Sequence, residues 1–141
     1  MVASRDAARR FDESAWPFIV FTQSPRKLTE QEFHDELDCI SAFYRRGQRF
    51  GIVIDGREAP ELSGKRRREI AARMNADLRR YPGLHFGTAI VASSALARGA
   101  FKVLTWLREK QEPPLQTFAD VESALQWLRA LIPSGVPTKR T

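Results

Sequence analysis

The segment Phe50-Gly51-Ile52-Val53-Ile54-Asp55 constrains the fold of this chain more than any other. A strand with one wet face alternates apolar and polar residues. A short unbroken apolar run reads instead as a strand covered on both faces, which is the habit of parallel sheets. His85 to Val91 reads as a further core strand. Between the two, Ser63 is placed to cap a helix running to about Arg80, with Ile70, Ala71, Met74 and Leu78 as its apolar stripe. Tyr81-Pro82-Gly83 ends that helix.

The flanks repeat the alternation. Trp16 to Phe21 is aromatic and β-branched, hence a strand, and Pro17 suits an edge or a strand start because it has no amide hydrogen to donate. Phe11 to Ser14 fits a short strand or a turn. Thr29-Glu30-Gln31-Glu32 is a capping box opening a helix with Phe33, Leu37, Ile40 and Tyr44 on one face, and Gly47 is its natural stop. Ser93 or Ser94 caps a helix whose apolar face holds Leu96, Ala100, Phe101, Val103, Leu104 and Leu107. After Pro113-Pro114, Leu115 to Phe118 reads as a short strand, and Asp120 caps a last helix containing Val121, Leu125, Leu128 and Ile132. The expectation is an α/β fold with a single layer of mostly parallel or mixed β-sheet and about four helices. Residues 1–13 are expected as a flexible tail, 14–132 as the domain, and 133–141 as a disordered tail.

Composition narrows the function classes. One cysteine, Cys39, allows no intramolecular disulfide. With His34 and His85 as the only histidines, a three-ligand zinc site would need carboxylates to help. No run approaches the ~18 apolar residues of a membrane span, and the N-terminus lacks an apolar signal core. A cytoplasmic protein without cofactor or metal is the expectation. The formal charge of +6 is patchy: residues 65–80 carry seven basic and two acidic side chains, whereas residues 29–46 carry five acids and two arginines.

Four places deserve consideration as sites. The loop from Asp55 through Arg57 to Ser63, Gly64, Lys65 and Arg66 leaves a buried strand at its carboxyl end and enters a helix N-terminus, where ligands of open α/β sheets often sit and anions are welcome. A capped helix with a solvated first turn explains the same residues, and the Walker pattern is absent. Ser93 and Ser94 leave the next strand at the same sheet end, either binding a polar ligand or simply capping. The basic helix 65–80 is a nucleic-acid candidate only by charge, since no aromatics interleave. Its Glu69–Arg73 and Arg73–Asp77 spacings suit pairs along the helix. Trp106 lies off its helix's apolar stripe and close to Gly99, which marks either a docking or dimer surface or a position covered inside the monomer. Cys39 reads as a passive small hydrophobe and His34 as helix surface.

In combination these segments resemble the STAS family, the anti-sigma-factor antagonist domains, and in particular its small divergent bacterial members. The likeness rests on Leu28-Thr29-Glu30-Gln31-Glu32-Phe33, on Phe50 to Asp55, on Ala59-Pro60 before a helix, on Ala89 to Ala100, and on Phe118 to Leu128; it covers about residues 16–132. Regulatory members carry a phosphorylatable serine in an Asp-Ser-Ser/Thr-Gly segment at the start of the second helix. With Pro60 set on the family's proline, Ser63 falls on the Asp and Gly64 on the acceptor, so the acceptor is missing; a slip of one residue would make Ser63 the candidate. The resemblance implies a non-catalytic interaction or regulatory module; the convergence of two loops at one sheet end gives Asp55, Arg57, Ser63, Gly64, Lys65, Arg66, Ser93 and Ser94 as the surface expected to bind a protein partner or a small anionic ligand. The alternatives are a nucleotide- or lipid-binding protein with an enzymatic role anchored on Asp55, and non-specific nucleic-acid binding through helix 65–80.

Overall fold

A computed structural model describes residues 5–94 and 113–132. In chain order these form α1 (Arg5–Arg9), β1 (Phe11–Ala15), β2 (Phe18–Thr22), α2 (Glu30–Tyr44), β3 (Phe50–Asp55), α3 (Gly64–Arg80), β4 (His85–Val91), β5 (Leu115–Phe118) and α4 (Val121–Leu131). The five strands make one sheet in the order β1-β2-β3-β4-β5. β1 runs antiparallel to β2, and the other four strands are parallel. The α/β single-sheet expectation is met. Pro17 sits just before β2, a strand covered by β1, so it marks a strand start and not an edge.

The steps β2 to β3 and β3 to β4 go the same way across the sheet. Right-handed crossovers therefore send α2 and α3 to one face. That face holds Phe11, Ile19, Phe21, Phe43, Tyr44, Phe50 and Ile52, with Leu78 and Tyr81 packed on them. α4 covers the opposite face, where Ala124 and Leu128 meet Phe18, Val53, Ala89 and Val91. Both faces of β3 are thus buried, as its unbroken apolar run requires.

A bulge lets α4 come close. Phe50 pairs with His85 but Gly51 pairs with Gly87, which leaves Phe86 as the extra residue. Phe86 meets Phe18 edge-on at 5.9 Å. A Cβ on Gly51 would lie 2.9 Å from the Phe86 ring, and one on Gly87 would lie 2.7 Å from Leu131 Cδ1 and 2.9 Å from Leu128 Cδ2. The two glycines are the space into which Phe86 and α4 pack. On the other face, both ring nitrogens of buried His85 have partners, and Thr88 Oγ1 also lies 2.9 Å from Nε2. The same Nε2 lies 3.0 Å from the Gly87 carbonyl, which can only accept, so Nδ1 is left to accept from the Tyr44 hydroxyl at 2.6 Å.

Caps are where the sequence puts them. Thr29 and Glu32 form a reciprocal capping box on α2, Ser63 accepts from the Arg66 amide on α3, and Asp120 accepts from the Ser123 amide on α4. Gly47, with φ of +71°, follows the end of α2 in the left-handed region. The N-terminal expectation needs correction. Residues 5–13 form α1 and most of β1: Ala7 is fully buried, and Phe11 stacks on Phe21 at 4.2 Å. A one-turn helix with a single buried alanine leaves no periodicity to read. The expected helix beginning near Ser94, with Gly99 and Trp106, and the tail from 133 lie outside the described residues.

Candidate functional site

The charge patches of the sequence turn out to face each other. α2 and α3 lie side by side, and the basic helix spends part of its charge on the acidic one. Arg66 donates to Glu30 (3.1 Å), Arg73 donates to Asp38 (3.0 Å) and Ser41 (3.1 Å), Ser41 donates to Asp77 (2.7 Å), and His34 meets Glu69 at 3.0 Å. The pairs expected along α3, Glu69–Arg73 and Arg73–Asp77, are replaced by these cross-helix contacts. A neighbouring helix offers partners that are already partly desolvated, whereas a pair along one helix contributes only about 0.2–0.5 kcal/mol. His34 is accordingly a half-exposed cross-helix contact. Lys65, Arg67, Arg68, Arg79 and Arg80 stay exposed.

Above this seam, at the carboxyl ends of β2 and β3, lies a cleft of about 440 Å³. Its floor is apolar: Phe21 and Ile54 from the sheet, Phe33, Leu37 and Ile40 from α2, and Ile70 from α3. The β2–α2 loop supplies one wall with Gln23, Ser24, Arg26, Lys27 and Leu28, and the β3–α3 loop supplies the other with Ala59 to Gly64. Arg66 and Arg67 complete the lining beside Glu36 and Glu61.

Half of the charged residues that line the cleft are committed: Arg26, Glu36 and Arg66. Arg26 grips Glu32 with two hydrogen bonds of 3.1 and 2.7 Å; with the Thr29 amide, this holds the Glu32 carboxyl down to about 2. Arg66 is 9% exposed, lies over the Phe33 ring at 4.9 Å, and keeps Glu30 below its usual range. Glu36 is buried, which pushes its carboxyl up, while Arg10 opposes that shift from 2.6 Å. Lys27, Arg67 and Glu61 are exposed and have no ion-pair partner among the described residues. The rim left to solvent is net positive.

The structure divides the site expected from sequence. Ser63, Gly64 and Arg66 line the cleft. Lys65 is exposed on the next position of α3 and does not line it. Alternation along β3 sends Ile54 to the α2–α3 face and Asp55 to the α4 face. There Arg57 clamps Asp55 through Nε (3.0 Å), Nη2 (2.8 Å) and its own amide (3.2 Å), which holds the carboxyl below its usual range. Ser93 and Ser94, both exposed, follow β4, which pairs with β3 through Asp55–Val91. Nothing in the sequence marks the β2–α2 loop with Lys27, nor Phe33, Glu36 or Arg67, as lining of the same cleft. The missing information was strand order: the loop after β3 shares its cleft with the loop after β2, not with the one after β4.

Cys39 is half-buried against the core, and burial, with Glu36, Asp35 and Asp38 nearby, pushes its thiol up. No family model, no curated protein and no solved structure matches the chain. Among the described residues no helix is long and apolar enough to cross a membrane.

Proposed function

We propose that this chain is a non-catalytic, STAS-like interaction module that receives an anionic partner in the cleft between the β2–α2 and β3–α3 loops. The occupant is an acidic segment of a protein partner or a small anion with an apolar body. The observation that carries this reading is the cleft's composition: an apolar floor at the carboxyl ends of two parallel strands, with Lys27 and Arg67 against the single acid Glu61 as the lining charges without an ion-pair partner among the described residues. Ser63 and Gly64 bring the N-terminus of α3 to the same opening, where its dipole favours negative charge. The order of the described elements supports the STAS resemblance: a capped α2, the buried β3, Ala59-Pro60 before α3, and a closing β5 followed by the Glu122-bearing α4.

The rival readings are weaker on physical grounds. An enzymatic role anchored on Asp55 asks for a base, but a carboxylate clamped by a guanidinium is a poor one. Nucleic-acid binding asks for a basic stripe with stacking aromatics, but Arg66 and Arg73 turn inward to α2 and no aromatic residue interleaves with the cations that α3 leaves exposed. A titration of the full chain with dodecyl phosphate, and separately with inorganic phosphate, tests the cleft. Saturable binding of dodecyl phosphate that weakens at least tenfold in Lys27→Glu/Arg67→Glu supports it. Equal binding by the double variant, or no binding by the wild type to this probe or to an acidic amphipathic peptide, overturns it.

A further inference from the structure

A second site is drawn by side chains that the cleft does not use. Glu30 and His34 stand one helical turn apart on α2, and Glu69 faces them from α3. The three offer one imidazole nitrogen and two carboxylate oxygens, all within 4.8 Å of one another. His34 Nε2 and Glu69 Oε2 are already 3.0 Å apart. A tetrahedral ion bound at about 2.1 Å from each ligand needs donor separations of about 3.4 Å; the 3.0 Å and 4.8 Å limits found here bracket that value.

One further observation points to a missing partner. The Glu69 side chain is 30% exposed as a whole, yet its Oε1 is buried from solvent and has no hydrogen-bond partner, the one such side-chain atom among the described residues. A buried carboxylate oxygen left bare is costly, because desolvation is uncompensated. His34 covers only the other oxygen. Glu30 is braced as a metal-binding carboxylate usually is: Arg66, fixed over Phe33, donates to its Oε1 at 3.1 Å and leaves Oε2 for a ligand.

We propose that Glu30, His34 and Glu69 form a divalent transition-metal site that joins α2 to α3. One nitrogen and two oxygen donors suit Zn²⁺, with water completing the shell, and do not suit the all-oxygen demands of Ca²⁺ or Mg²⁺. The ion bridges the same two helices that contribute Phe33, Leu37, Ile40 and Ile70 to the cleft floor, so it braces the cleft from below.

The test is calorimetric titration of the full, tag-free chain with ZnCl₂, alongside Co²⁺, whose visible absorption reports coordination by nitrogen and oxygen. The expected result is one Zn²⁺ per chain and a Co²⁺ spectrum of low coordination number, with affinity at least tenfold weaker in His34→Gln and in Glu69→Gln. Both variants change partly exposed side chains, and circular dichroism checks their folding; Glu30→Gln provides a third, more exposed position. Stoichiometric binding that survives His34→Gln and Glu69→Gln unchanged, or no binding by the wild type, overturns the proposal.

Discussion

Arg10→Met should destabilise the fold at neutral pH and much less in mild acid. Arg10 Nε donates to Glu36 Oε2 at 2.6 Å, with the two side chains 19% and 8% exposed, and so ties the start of the chain to α2. Methionine keeps the apolar stem and removes the charge. Breaking a buried pair from one side typically costs about 3–5 kcal/mol, because the remaining charge is stranded. Here Glu36 has an escape, which is to take up a proton. Protonating a carboxyl of ordinary value 4.5 costs about 3.4 kcal/mol at pH 7 and about 1.4 kcal/mol at pH 5.5, and the charge part of the penalty cannot exceed those limits. The sign follows from burial. A carboxyl raised in the folded state holds its proton to higher pH than the unfolded chain does. Its contribution is therefore fully present below the unfolded value and is lost as pH rises through the folded one. Losing Arg10 removes the main influence pulling Glu36 down, so that window widens upward. Urea unfolding followed by tryptophan fluorescence should give a loss of about 2–3 kcal/mol at pH 7, shrinking to about 1 kcal/mol at pH 5.5. Arg10→Met/Glu36→Met should recover most of the loss and flatten the pH dependence. A penalty of the same size at both pH values, or one below about 0.5 kcal/mol at pH 7, would refute the reasoning and class the pair with exposed ion pairs.

Other outcomes follow from the packing. Gly87→Ala should cost about 1–3 kcal/mol in the same assay, since its methyl would meet Leu131 and Leu128 below 3.0 Å, and Leu131→Ala should relieve part of that cost. Ser63→Ala should lose about 1 kcal/mol by removing the cap on the Arg66 amide, while Ser63→Asp should retain the cap. Cys39 should react with a disulfide reagent at pH 8 more slowly than a free cysteine does, because burial and three acidic neighbours suppress its thiolate; a rate equal to or above that of free cysteine would contradict this.

What could be read from the sequence was local chemistry. β4 and β5 have the bounds their residues suggested, His85–Val91 and Leu115–Phe118, and the caps at Thr29, Ser63 and Asp120 are made as expected. The unbroken run at Phe50–Asp55 signalled burial on both faces before any partner was known. What escaped was relational. α1 buries Ala7 in a single turn, too little for a periodic signal. The acidic and basic helices read as two separate charge patches, yet Arg66 and Arg73 pair with α2. The expected site residues divide between two places, since nothing in Asp55 or Ser93 says which strand lies beside β3: Ser63, Gly64 and Arg66 line the cleft with the β2–α2 loop, whereas Asp55 faces α4. Arg66 looked like a free cation until its contact with Phe33 and Glu30 showed it engaged.

The proposed working surface lies between the β2–α2 and β3–α3 loops. Its most direct test is a nuclear magnetic resonance titration of the isotopically labelled full chain with dodecyl phosphate. Saturable amide shifts confined to Gln23–Leu28 and Ala59–Ile70, and abolished in Lys27→Glu/Arg67→Glu, are the predicted result. Shifts centred on Asp55–Arg57 and Ser93–Ser94, or spread over the exposed arginines of α3 without saturation, would contradict it.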